Sequence, residues 1–82
     1  MYKKIIVYSA SWCGPCKYAK QLLDERGLDF EEIDIEKEGI SREDLYEMTG
    51  GRTIPQIIIN NVNIGGYTDL QQLDKMGNLK AW

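Results

Sequence analysis

Ile5-Ile6-Val7-Tyr8-Ser9-Ala10-Ser11-Trp12-Cys13-Gly14-Pro15-Cys16-Lys17-Tyr18-Ala19-Lys20-Gln21-Leu22-Leu23-Asp24-Glu25-Arg26-Gly27 is the stretch whose reading decides the fold. It opens on an apolar run of strand length. It closes on a helix-spaced run in which Cys16, Ala19, Leu22 and Leu23 share one face. Lys3–Ser9 therefore reads as a buried strand and Cys13–Arg26 as a helix, with Gly27 suited to the position just past its end. Leu28–Ile35 reads as a second strand with partial alternation. Helix-length material between two apolar strands implies a βαβ unit, with parallel pairing and a right-handed crossover.

Downstream, Ser41 opens a second helix: Asp44 follows three residues later as in a capping box, and Ile40 and Leu45 occupy the positions of a hydrophobic staple. That helix ends at Gly50-Gly51. Gln56–Asn60 and Val62–Gly65 read as strands joined at Asn60-Asn61, a pair that tolerates the positive φ of a tight hairpin. Thr68, with Gln71 three residues on, is expected to cap a third helix, with Leu70, Leu73 and Met76 inward and Gly77 at its end. Leu79 and Trp82 are expected to fold back onto the core. The order β-α-β-α-β-β-α makes an α/β domain, a mixed four-stranded sheet flanked by three helices, which is the thioredoxin-type layout.

Cys13 and Cys16 are the only cysteines of the chain. A CxxC between a strand and a helix is a candidate thiol–disulfide exchange site. At a helix start the free N–H groups and the macrodipole favour thiolate, and the thiolate is the nucleophile. Pro15 fits the first turn, where no N–H is missed. Cys16, one turn on, is placed to attack a mixed disulfide formed at Cys13. Lys17 and Lys20 add positive charge nearby, and Trp12 offers an apolar flank for docking. Two blander readings compete. Zinc takes four N or S ligands, and a chain with one cysteine pair and no histidine supplies too few, so no metal is expected. A structural disulfide this short closes almost no loop and stabilises little.

Eighty-two residues make one small domain, residues 1–82, and 43% hydrophobic content suffices for a modest core, which argues against disorder. No run approaches the roughly 20 apolar residues of a membrane span. The N-terminus reads as a strand rather than a signal peptide, so the expected location is the reducing cytoplasm. A net charge of −3 without a basic patch makes nucleic acid an unexpected partner. The acidic residues from Asp29 to Glu38 alternate with Phe30, Ile33 and Ile35 and read as the solvated side of a strand and its following loop.

Three further stretches carry candidate chemistry. Thr53-Ile54-Pro55 precedes the third strand, where proline belongs at a strand's first residue or in a turn. It is either an ordinary strand start or a cis Ile54–Pro55 bond that leaves the Ile54 backbone available to a peptide-like ligand beside Cys13. Gly65-Gly66-Tyr67-Thr68-Asp69 is either a turn and capped helix or an anion site, with Asp69 facing a ligand ammonium. Arg52 is either a surface charge or a grip for a carboxylate.

Cys13–Cys16, Gly51-Arg52-Thr53-Ile54-Pro55-Gln56-Ile57-Ile58-Ile59-Asn60 and Ile64-Gly65-Gly66-Tyr67-Thr68-Asp69-Leu70, in register along nearly the whole chain, resemble a small bacterial-type dithiol glutaredoxin. The resemblance implies glutathione-dependent reduction of protein disulfides and glutathionylated proteins by a monomer. Cys13 would then attack and Cys16 resolve. Thr53 and Ile54, before a cis Pro55, would hold the cysteinyl part of glutathione. Gly66, Thr68 and Asp69 would hold its γ-glutamyl end, Arg52 would meet its glycine carboxylate, and Trp12 and Tyr67 would flank the docked substrate.

The chain departs from that family at two places. Trp12-Cys13-Gly14-Pro15-Cys16 resembles thioredoxin rather than the common Cys-Pro-Tyr-Cys, and Ala10 stands where many glutaredoxins carry a lysine. A rival reading therefore keeps the glutaredoxin shape but takes electrons from thioredoxin reductase, for example to serve ribonucleotide reductase. Another is a [2Fe–2S] cluster shared by two subunits through one cysteine and one glutathione each, which Pro15 is expected to hinder. Thioredoxin sits near about −270 mV and glutaredoxins near about −200 to −230 mV. Because the dipeptide between the cysteines tunes that value, the potential is expected nearer thioredoxin. Equilibration in glutathione redox buffers measures it, and a value above about −220 mV would overturn the expectation.

Overall fold

The computed structural model describes residues 4–77 and 79. In chain order the elements are β1 (Ile5–Ser9), α1 (Gly14–Glu25), β2 (Glu31–Asp34), α2 (Arg42–Thr49), β3 (Gln56–Ile59), β4 (Val62–Gly65) and α3 (Tyr67–Lys75). The sheet runs β2-β1-β3-β4. β1 pairs with β2 in parallel and with β3 antiparallel, and β3 pairs with β4 antiparallel. This is the thioredoxin-like layout expected from the element order.

Strand alternation divides the core between the two sheet faces. Ile5 and Val7 of β1 join Ile57 and Ile59 of β3 on one face, packed with Ala19 and Leu23 of α1 and Leu70 of α3. Tyr8 joins Ile35 and Leu45 of α2 on the other, with Ile6, Ile33 and Ile58 packed against them. Leu79 is buried in the first cluster, as expected. Lys3 and Trp82 lie outside the described residues.

Local chemistry explains most boundaries. Ser41 and Asp44 form a reciprocal capping box, Ser41 Oγ accepting the Asp44 N–H at 3.0 Å and Asp44 Oδ2 accepting the Ser41 N–H at 3.2 Å. Asn60 and Asn61 take φ of 51° and 69°, which closes the β3–β4 hairpin in two residues. Three expectations need correction. β2 is shorter than Leu28–Ile35, because Leu28 is spent ending α1: its N–H donates to Leu23 O at 2.9 Å while the Gly27 N–H donates to Asp24 O at 3.0 Å, a Schellman closure. The third helix begins two residues earlier than expected and is capped by Gly66 rather than Thr68, with the Asp69 carboxylate accepting the Gly66 N–H at 3.0 Å. Met76 is 69% exposed: it is the C-cap, where the chain leaves the helical register that buries Leu70.

Two ion pairs among the described residues tie α1 to α3 and to β2. Arg26 at the end of α1 donates through Nε and Nη2 to the Asp74 carboxylate of α3, at 2.6 and 2.8 Å. Lys20 of α1 donates to Glu32 Oε2 of β2 at 2.6 Å, and the buried Ser9 hydroxyl of β1 donates to the same oxygen at 2.7 Å. The hydrogen bond from Lys20, then that from Ser9, holds the Glu32 carboxyl below its ordinary value. Both partners remain partly exposed, so solvent screens the pair. A lowered folded-state value means that the stabilisation is complete above the unfolded value of about 4.3 and is lost as pH falls through the folded one. Glu32→Gln is therefore expected to flatten the acid limb of stability. Urea unfolding between about pH 3 and 6 reads it, and an unchanged limb would show that the pair contributes nothing.

Candidate active site

Cys13 and Cys16 form a disulfide with Cα atoms 5.3 Å apart, within the ordinary range for such a bond. Their placement follows from the local sequence. β1 delivers the chain to Ala10, and the Cys13 N–H donates to Ala10 O at 3.1 Å, turning the chain into α1. Cys13 is the N-cap of α1, and its Sγ accepts the Cys16 N–H at 3.2 Å. Pro15 occupies the first turn, which carries no acidic residue. The sulfur of Cys13 thus meets an N–H donor and the positive end of a helix, both of which favour negative charge there once the bond is reduced. Cys16 is fully buried on the inner face of α1. Lys20 is occupied by Glu32, whereas Lys17 is exposed.

The segment before β3 comes up against this sulfur. The Ile54–Pro55 bond is cis, and the Ile54 carbonyl oxygen lies 3.8 Å from Cys13 Sγ. In the disulfide that sulfur has no proton, so this is a contact; only the thiol would donate across it. The start of α3 abuts the same segment. A Cβ on Gly66 would sit 3.6 Å from Pro55 O, so the helix start lies against the backbone beside the dithiol. Gly65, at φ 114°, leaves room for the Asp69 carboxylate, which a Cβ there would overlap. Thr68 and Asp69 are exposed, with one Asp69 oxygen taken by the Gly66 N–H.

The remaining candidates sit around this centre. Trp12 is 59% exposed and donates its indole N–H to Glu36 Oε2 at 2.8 Å, which ties the flank of the dithiol to the loop after β2. Tyr67 is half-buried, its ring 5.9 Å from that of Tyr18 on α1, and its hydroxyl accepts from Gln71 at 3.2 Å. Arg52 is exposed, with its guanidinium 4.5 Å from the Tyr46 ring centroid; the Arg52 carbonyl accepts from Arg42 Nη1 at 2.9 Å. Thr53 is exposed, and its carbonyl accepts from the buried Gln56 side chain at 2.7 Å. Cys13, Ile54, Pro55, Gly66 and Asp69 thus form one chain of contacts, and Arg52 stands outside it, stacked on α2.

Sequence reasoning did not single out Glu36, Arg42, Tyr18, Tyr46 or Gln56. The first four are common surface residues whose pairing depends on elements distant in sequence. Gln56 carried a signal: a polar side chain opening the otherwise apolar strand Gln56-Ile57-Ile58-Ile59, right after Pro55.

A glutaredoxin family model matches residues 5–64. A glutaredoxin of Pseudomonas aeruginosa is 39% identical over 77 residues, covering 94% of this chain and 92% of that protein. Glutaredoxin 3 of Escherichia coli K12 is 38% identical over 73 residues, covering 89% and 88%. Among solved structures, a buckwheat glutaredoxin–glutathione complex superposes with a TM-score of 0.84 at 28% identity, covering 94% of this chain and 73% of that one. With a family match running from β1 into β4 and relatives of this identity spanning nearly the whole length, the chain belongs to the glutaredoxin family, and the chemistry of its dithiol is thiol–disulfide exchange.

Proposed function

We propose that the protein is a glutathione-dependent oxidoreductase that reduces protein disulfides and glutathione mixed disulfides. The observation that carries this reading is the 3.8 Å approach of Cys13 Sγ to the Ile54 carbonyl, with the Gly66 end of α3 against the next residue. A nucleophilic sulfur, one residue's backbone edge and a helix start then lie side by side. That is the arrangement needed to hold a short peptide whose reactive atom is a cysteine sulfur. The glutathione carried by the buckwheat glutaredoxin, a protein of the same fold, supports it.

In this reading the Cys13 thiolate attacks the sulfur of a mixed disulfide, and the substrate thiol leaves with the electron pair of the broken S–S bond. With a glutathionylated protein, Cys13 keeps the glutathionyl group, and a second glutathione removes it as glutathione disulfide. With a protein disulfide, Cys16 attacks the mixed disulfide at Cys13 and releases the second substrate thiol. Two glutathiones then reduce the Cys13–Cys16 bond. The Ile54 backbone aligns the cysteinyl part of glutathione, and Thr53 flanks it. Gly66, Thr68 and the remaining oxygen of Asp69 receive the γ-glutamyl end. Arg52 swings from the Tyr46 ring to the glycine carboxylate, since the buried Ala10 offers no cation. Trp12 and Tyr67 flank the docked chain. The protein works as a monomer in the reducing cytoplasm, on disulfide-bearing and glutathionylated proteins.

Reduction by thioredoxin reductase is the second reading. The exposed Trp12 beside Cys13-Gly14-Pro15-Cys16 favours it, because that rim is thioredoxin-like. One paired assay separates the two: turnover of a glutathionylated peptide with glutathione, against insulin reduction with thioredoxin reductase as the electron source. Turnover with glutathione is the expected result. Activity with the reductase alone would transfer the protein to the second reading.

A further inference from the structure

Among the described residues Gln56 is the one buried side-chain amide, 4% exposed at the first residue of β3, where its backbone pairs with Tyr8 of β1. A buried amide costs stability unless its polar atoms are satisfied. Gln56 reaches back along the chain rather than across the sheet: Nε2 donates to the Thr53 carbonyl at 2.7 Å and approaches Thr53 Oγ1 at 3.4 Å. Its carboxamide lies under the α-carbon of Gly51, where a Cβ would overlap the amide, with Cδ only 2.7 Å away. Glycine at 51 is what lets the amide reach Thr53.

The carbonyls of this loop are held one by one. Arg52 O accepts from Arg42, Thr53 O accepts from Gln56, and Ile54 O faces Cys13 Sγ. The Thr53 carbonyl and the Ile54 N–H belong to one planar peptide unit and point in opposite directions. Fixing the first from a sheet strand therefore fixes the second. The Ile54 N–H makes no hydrogen bond to a described residue, which leaves it as a donor beside the reactive sulfur.

We infer that Gln56 is a positioning residue that, through Gly51 and Thr53, orients the Ile54 N–H toward the backbone of the peptide carrying the sulfur that Cys13 attacks. This rests on the proposed binding of glutathione along Ile54. It adds a determinant of selectivity for peptide-borne disulfides over non-peptide ones, seated on the strand and touching no reacting atom.

The test is single-turnover oxidation of the reduced protein by two disulfides with the same leaving group, the glutathione–mercaptoethanol mixed disulfide and hydroxyethyl disulfide. Gln56→Met keeps the length and removes the N–H. The expected result is a fall of about five- to tenfold in the rate ratio between the glutathionyl and the hydroxyethyl disulfide, the scale of one lost, partly buried hydrogen bond. Gly51→Ala, which displaces the same amide, is expected to lower the ratio similarly and serves if Gln56→Met does not fold. The double variant is expected to be no worse than either single one, because both act through one contact. Equal slowing on both disulfides, or an unchanged ratio, would overturn the inference while leaving the glutathione reading intact. A parent protein that shows no preference for the glutathionyl disulfide would overturn both.

Discussion

Cys13→Ser is expected to abolish turnover of glutathione mixed disulfides and of protein disulfides alike, by on the order of 10³-fold or more, the scale on which a covalent nucleophile is lost. The alkoxide that serine would need is not available at neutral pH, and the N–H donor and helix start that favour a thiolate do not compensate for so large a difference in acidity. Cys16→Ser separates the roles. It is expected to keep much of the turnover on glutathione mixed disulfides, which needs one sulfur, and to lose the reduction of protein disulfides, which needs two. The assignment rests on position, since both sulfurs are buried: Cys13 is the N-cap and faces Ile54 O, whereas Cys16 points into the core. The measurement is steady-state turnover on both substrates. Activity that survives in Cys13→Ser and vanishes in Cys16→Ser would exchange the two roles.

Leu70→Ala is expected to be the most costly truncation on the α3 side of the sheet. Leu70 is fully buried and sits in the cluster formed by Ala19, Leu23, Val7 and Ile57, so its removal leaves a cavity that α3 and α1 cannot readily close. Burying such a leucine and then deleting it typically costs about 2–5 kcal/mol. A domain of this size has roughly 4–12 kcal/mol in all. Denaturant unfolding reads the change directly, and the thermal midpoint is expected to fall by at least roughly 10 °C. The loss reaches the site as well, because Leu70 follows Gly66 and Asp69 in the same helix and seats its first turn against Pro55. Met76→Ala is the control: at 69% exposure it is expected to change stability by no more than about 0.5 kcal/mol. A loss below about 1 kcal/mol for Leu70→Ala would mean that α3 is not docked as described.

Most of this architecture was legible in the chain because it rests on short-range chemistry. The apolar run at Ile5 to Tyr8, the face formed by Cys16, Ala19 and Leu23, the Ser41–Asp44 capping box and the Asn60-Asn61 turn each encode an element within a few residues. The errors fell where a longer-range hydrogen bond took over. Leu28 has the apolar character of a strand residue but closes α1, and Thr68 has the side chain of a cap, yet the Asp69 carboxylate satisfies the Gly66 N–H two residues earlier. Met76 kept the helical spacing but fell at the residue where the helix ends.

The candidate site divides in the same way. A dithiol between a strand and a helix start is a local signature, and Pro15 and the strand before Cys13 place it without reference to the rest of the chain. That Ile54 is the residue facing Cys13, that Gly66 abuts Pro55, that Trp12 is tied to Glu36 and that Gln56 turns back on Thr53 are pairings between residues the sequence leaves apart or without direction. Periodicity, capping and turn chemistry act over one or two turns of chain, so the sequence by itself determined the elements, their order and the position of the dithiol on them. Sheet register and helix docking act between elements, so only the tertiary structure decided which backbone edge, which helix start and which buried amide surround the sulfur.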